Sequence, residues 1–170
     1  MELDDLRALY VEGLKDLWSA ENQLLKALPR MAKAATHPQL KRAFLKHEKQ
    51  TEQHVKRIER ICKELDESPR GKKCVGMEGL IEEGKELIQE KPEKEVLDAG
   101  LIAAAQHVEH YEMAGYGTCR TWARLLGYTA QAELLQTTLD EEQQTDLDLT
   151  ALAESSVNLE AASPEEDDEE

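Results

Sequence analysis

Apolar residues in this chain recur at intervals of three and four along four long stretches, the spacing of one face of an α-helix. The first stretch reads Tyr10, Leu14, Leu17, Glu21, Leu24, Leu28, Met31, and the second Leu40, Phe44, His47, Thr51, His54, Ile58, Ile61, Leu65. The third reads Leu101, Ala105, Val108, Glu112, Gly115, Cys119, Trp122, Leu126, and the fourth, the weakest, Leu135, Thr138, Glu142, Thr145, Leu149, Leu152. Each seam is broken near its middle by a residue able to ligate a metal: Glu21, His54, Glu112 and Glu142. An ionised carboxylate in a packed seam costs several kcal/mol unless something compensates it. Three carboxylates and an imidazole need a shared explanation, and a buried cation is the most economical.

Proline and glycine mark the boundaries. Helix 1 is predicted over about Asp4–Ala35, ending before Thr36-His37-Pro38. Pro38 suits the first turn of helix 2, which runs to about Glu67 and stops at Ser68-Pro69-Arg70-Gly71. Lys91-Pro92 precedes helix 3, which ends near Leu126-Gly127, and Thr129 is the expected N-cap of helix 4. The connector between helices 2 and 3 contains a short helix over Met77–Glu90, with Leu80, Ile81, Leu87 and Ile88 as its apolar face. Tight turns make hairpins 1–2 and 3–4 antiparallel, and the connector carries the chain back along the bundle between them. The pattern therefore predicts an all-α fold: a ferritin-like four-helix bundle with one long crossover connection carrying a short extra helix.

The turns also set the heights of the broken positions. Glu21 lies sixteen residues before His37 and His54 seventeen after it. At ~1.5 Å rise per residue both sit roughly 25 Å from the turn. Glu112 and Glu142 stand about sixteen and fourteen residues from Tyr128, a mismatch of only ~3 Å. Each hairpin thus carries its own polar layer, and antiparallel packing merges the two.

Composition sets limits. Aromatic residues make up 4% of the 170 residues and charged residues 34%, a balance that favours helices in one domain. No apolar run approaches the ~20 residues of a bilayer span, and the opening MELDDLRAL is acidic where a secretory signal would be basic. Cys62, Cys74 and Cys119 are odd in number and lack CxxC spacing, which points to a reducing cytoplasm and to no zinc knuckle or rubredoxin-type iron site. The net charge of −15 argues against nucleic acid and anionic membranes as partners. Seven of the negative charges lie after residue 158. The expected organisation is therefore a bundle over 1–157 and a disordered acidic tail over 158–170, whose partner, if any, the charge alone does not identify.

Further donors flank the four broken positions. Asp146 lies one turn beyond Glu142, Gln50 one turn before His54, and Glu109 three residues before Glu112. The candidate metal set is thus Glu21, Gln50, His54, Glu109, Glu112, Glu142 and Asp146. Oxygen ligands with one imidazole suit iron or manganese better than structural zinc. His47, two turns before His54 on the same seam, is expected to support the layer. His107 and His110 point off the seam, Tyr10, Tyr111 and Tyr116 are packing residues by default, and Tyr111 has a carboxylate as its natural acceptor. Trp18 and Trp122 are core or dimer-contact residues.

Specific stretches are similar to a known family: Asp16-Leu17-Trp18-Ser19-Ala20-Glu21-Asn22-Gln23-Leu24, Gly71-Lys72-Lys73-Cys74 with Met77-Glu78-Gly79-Leu80-Ile81, Ala103 to Glu112, and Thr138-Leu139-Asp140-Glu141-Glu142. Over about residues 3–157 the chain resembles the YciE/YciF-like family, bacterial stress-associated proteins of the ferritin-like superfamily related to rubrerythrins. The resemblance implies a ferritin-like fold, a homodimer and a dimetal site in the bundle, with no settled activity. A ferritin-type site takes a Glu from two helices and Glu-x-x-His from the other two. Here Thr51 stands where the first Glu of such a pair belongs and Thr145 where a His belongs, with Gln50 and Asp146 as substitutes from adjacent positions. Two readings follow. One is a soluble metal protein holding one or two iron or manganese ions, a ferroxidase or peroxidase if it is an enzyme. The other is a non-enzymatic stress or scaffold protein whose site is degenerate or empty.

Overall fold

The computed structural model describes residues 4–163. The helices run α1 (Leu6–Ala34), α2 (Pro38–Glu64), α3 (Val75–Glu90), α4 (Lys94–Leu125), α5 (Thr129–Leu152) and, after a π-helical turn over Ala153–Val157, α6 (Asn158–Ala162). The four long ones, α1, α2, α4 and α5, are the four seams. They form a ferritin-like four-helix bundle in which α1 pairs with α2 and α4 with α5, while the crossover helix α3 lies against α4 and α1.

Local chemistry sets the ends. Asp5 caps α1 by accepting the Ala8 N–H at 2.7 Å, and Pro38 opens α2. After α4, Gly127 adopts φ 79°, and Gly127 and Tyr128 return their N–H groups to Arg124 and Ala123. That left-handed closure favours glycine because an L side chain is strained against its own backbone at positive φ. The N-cap of α5 is Tyr128, with Thr129 already the first helical residue and no side-chain cap formed. The expected Thr129 cap is therefore replaced by the closure that ends α4. Helix also continues past residue 157, to Ala162, because Ala153 and Val157 turn into the core and Ser156 donates to Glu160 at 2.6 Å. The acidic run from residue 164 onward lies outside the described residues.

Two sets of hydrogen bonds fix the hairpins and the crossover in place. The Asp98 carboxylate on α4, 3% exposed, accepts from the Thr36 N–H (2.8 Å), the Thr36 hydroxyl (2.5 Å) and the His37 N–H (2.8 Å) in the α1–α2 turn. At the start of α3, Cys74 donates its N–H to Ser19 Oγ at 2.9 Å and accepts from Gln23 Nε2 at 2.9 Å. The apolar interior is then divided in two. One cluster gathers Leu24, Leu28, Phe44, Leu101 and Leu149, and the other Leu14, Leu17, Ile58, Tyr116 and Leu135. Between them lies the polar layer, closed off at either end by hydrocarbon.

Candidate metal centre

The layer is built by all four long helices. α1 contributes Glu21, α2 His47 and His54, α4 Glu109 and Glu112, and α5 Glu142, each at most 3% exposed. His54 Nδ1 lies 2.9 Å from Glu142 Oε1 and 3.4 Å from Glu21 Oε1. His47 Nε2 lies 3.2 Å from Glu109 Oε1 and 3.6 Å from Glu142 Oε2. Two ligand groups result: His47, Glu109, Glu112 and Glu142, and Glu21, His54 and Glu142, with the chosen donor atoms of each group within 4.8 Å of one another. Glu142 belongs to both.

These atoms are too buried to be solvated and are not hydrogen-bonded. Both oxygens of Glu112 and of Glu142, one each of Glu21 and Glu109, Nε2 of His47 and Nδ1 of His54 have no hydrogen-bond partner. The close approach of His54 to Glu142 is misaligned for a hydrogen bond. Buried polar atoms are almost always paired, so this many orphans converging on one layer match the donor set of a cation site. Four carboxylates and two imidazoles are the tally of a ferritin-type dinuclear site, distributed differently over the helices.

Protonation follows from the same crowding. Burial, and then the neighbouring carboxylates, hold Glu112 and Glu109 well above the ordinary carboxylate range, and burial raises Glu21. Burial alone would lower His54, but Glu141, Glu142 and Glu21 override it and raise the ring to about 12. Burial also works to raise Glu142, yet His54 brings it down. His47 is pushed down by burial. Without a cation, then, the surroundings favour the protonated forms of Glu109, Glu112 and His54.

Two side chains outside the ligand groups orient members of the layer. Glu141 Oε2 lies 2.8 Å from His54 Nε2, and Arg57 grips the same carboxylate at 2.6 and 3.0 Å while also donating to Thr138 Oγ1. The contact with His54, reinforced by Arg57, brings Glu141 down to about 2. A neutral His54 that donates its Nε2 hydrogen to Glu141 leaves the Nδ1 lone pair facing Glu21 and Glu142, the usual way a carboxylate fixes a ligand histidine. Tyr116, fully buried, donates its hydroxyl hydrogen to Glu21 Oε1.

Of the residues singled out in the sequence, the structure brings together Glu21, His54, Glu109, Glu112 and Glu142, and adds His47. Asp146 lies elsewhere, and Gln50 sits at the edge of the layer against His47. Asp146 accepts from Gln106 Nε2 at 3.0 Å and stands 3.2 Å from the exposed His110, because Thr145, against His47, holds the next seam position on α5. Gln50 is half-buried within hydrogen-bonding reach of His47, in the wall of a cavity beside the layer. His47 was legible as a seam residue, and Glu141 only as the neighbour of Glu142. Tyr111 does donate to a carboxylate, that of Asp16 at 3.1 Å.

Known proteins match the chain along nearly its whole length. Residues 5–162 match the family described as a domain of unknown function, DUF892. Protein YciF of Escherichia coli K12 is 44% identical over 162 residues, covering 95% of this chain and 98% of that protein. The crystal structure of the E. coli stress protein YciF superposes with a TM-score of 0.88 at 45% identity, covering 91% of this chain and 98% of that one. YcfI from Rhodopseudomonas palustris gives 0.85 at 38% identity, covering 88% and 95%. A Xanthomonas campestris protein, 21% identical with a TM-score of 0.76 over 93% and 97%, shares the fold. The chain belongs to the DUF892 family, as a homologue of YciF.

Proposed function

We propose that the chain is a metal-binding stress protein whose buried layer holds one or two iron or manganese ions and handles iron or peroxide. The observation that carries this reading is the set of unpartnered donor atoms from Glu21, His47, His54, Glu109, Glu112 and Glu142. Ions held by these residues would supply Lewis-acid and one-electron chemistry toward an oxygen species. The protein's part is to hold the donors and keep water out. Glu142 reaches both groups, Glu141 and Arg57 fix the His54 tautomer, Tyr116 orients Glu21, and the two apolar clusters exclude solvent. Loading such a site displaces the carboxyl protons and the His54 proton, so affinity rises with pH.

The reading extends to place and assembly. Among the described residues no helix is long and apolar enough to cross a membrane, and all three cysteines are free and buried. These support a role in the reducing cytoplasm, and the family resemblance supports a homodimer, checked by sedimentation.

A second reading has an observation of its own. His54 lies between Glu141 and Glu142 at 2.8 and 2.9 Å, and its surroundings favour the imidazolium as they favour the protonated forms of Glu109 and Glu112, so the layer can balance its charge without a cation. On that reading the bundle is a scaffold. Adding ferrous ion anaerobically and then oxidant separates the two. The metal reading expects saturable ferrous binding and oxidation faster than in buffer, both lost in Glu112→Gln, and the scaffold reading expects neither.

A further inference from the structure

His107, His110 and Asp146 are left over by the buried layer, and they share one outer face of the bundle. His107 and His110 are exposed and stand three residues apart on α4, so they leave the helix side by side, ~4.5 Å apart along its axis. Asp146 comes from α5, its side chain 17% exposed against 66% for His110. Its carboxylate is held from behind, because Gln106 Nε2 donates to Asp146 Oδ1 at 3.0 Å and to Thr150 Oγ1 at 2.8 Å. His110 Nε2 approaches the same Oδ1 at 3.2 Å without the alignment of a hydrogen bond. His107 has no hydrogen-bonding or ionic partner among the described residues.

We infer that His107, His110 and Asp146 form a second cation site, open to solvent and separate from the layer, that takes a divalent transition metal of the zinc class. Two ligands at ~2.0–2.2 Å from a shared cation stand about 3 Å apart. An ion therefore fits between His110 Nε2 and Asp146 Oδ1 with hardly any movement. The exposed His107 ring turns freely and brings a third donor from the neighbouring position. Two imidazoles and a carboxylate, with room left for water, are a ligand set that zinc takes at open sites. Magnesium and calcium, which call for oxygen donors, gain little from it. Gln106, tied to Thr150, supplies the outer contact that keeps a ligating carboxylate in place. So exposed a site exchanges its ion with solvent and empties on desalting, so it adds nothing to the metal content of purified protein.

The test is a zinc titration of the full-length chain, followed through the imidazole resonances by long-range proton–nitrogen NMR. The rings of His107 and His110 should shift together and saturate, while magnesium at the same concentration leaves them unmoved. His107→Ala and His110→Ala alter exposed positions, so the fold survives both. Each should weaken zinc binding by at least the roughly tenfold that loss of an outer partner costs, and Asp146→Asn should weaken it as well. Uptake by the buried layer is read separately, through the rings of His47 and His54, and should be the same in every variant. No shift of either exposed ring up to about 1 mM zinc, an equal response to magnesium, or undiminished affinity in both histidine variants would each overturn the inference. Failure of the layer to bind metal would appear at His47 and His54 alone.

Discussion

The hydroxyl of Thr145 lies 3.3 Å from Nδ1 of His47. Position 145 is where a ferritin-type Glu-x-x-His pair on the fourth bundle helix would place its imidazole. Here the fourth helix contributes a short hydroxyl, and a ring from α2 occupies the space. Thr51 likewise takes a glutamate from α2, and Glu109 on α4, buried beside His47, restores the number of carboxylates in the layer to four. The two apparent defects in the motif are thus exchanges between helices.

His47 should accordingly behave as a ligand. Replacing it with Gln should lower bound metal by about one equivalent while the group around Glu21 and His54 keeps its own. His110→Gln, altering an exposed ring, should leave metal content unchanged. Inductively coupled plasma analysis reads both, and equal content in His47→Gln would return that residue to a supporting role.

Glu141 should matter although it belongs to neither ligand group. Glu141→Gln weakens the acceptor that fixes the His54 tautomer and leaves Arg57 without its carboxylate. Metal affinity should fall about tenfold to a hundredfold, with the helical content intact, as measured by competition against a chromophoric chelator.

The metal-free protein should become more stable as pH falls from about 8 to about 5. Glu109 and Glu112 are raised well above 4.5 in the folded chain. An acid raised on folding gives its full stabilisation below its unfolded value and loses it as pH rises toward the folded one. His54, raised from 6.5 to about 12, acts in the same direction above 6.5. His47, lowered by burial, opposes them below 6.5, one group against the three raised carboxyls of Glu21, Glu109 and Glu112. Melting temperature against pH checks the sign, and Glu112→Gln should flatten the slope.

Much of the fold is legible in the sequence because periodicity and punctuation act locally. Tyr10, Leu14, Leu17, Phe44, Ile58, Leu101 and Leu135 are all buried where their spacing puts them. The heights of Glu21, His54, Glu112 and Glu142 follow from the rise per residue. What spacing misses is reach. His47 is two turns from His54, ~10 Å along the axis, yet their ring centroids come within 6.2 Å because both side chains lean toward Glu142. Glu141 and Asp98 were silent because their partners, Arg57 and the Thr36–His37 turn, are distant in sequence and adjacent only once the hairpins dock.

Asp98 gives a test of that docking independent of the metal layer. Asp98→Ala removes three hydrogen bonds and strands two backbone N–H groups, which should destabilise the protein by about 2–4 kcal/mol in urea unfolding. Metal content per folded chain should not change.

The central claim is that the buried carboxylates and imidazoles share a cation. The most direct measurement is the metal content of protein purified without added metal, beside Glu112→Gln prepared identically. Iron or manganese at about one to two equivalents in the wild type, sharply reduced in the variant with its helices intact, is the expected result. Wild-type protein that is metal-free, fails to take up ferrous or manganous ion, and melts at the same temperature with and without chelator would contradict it.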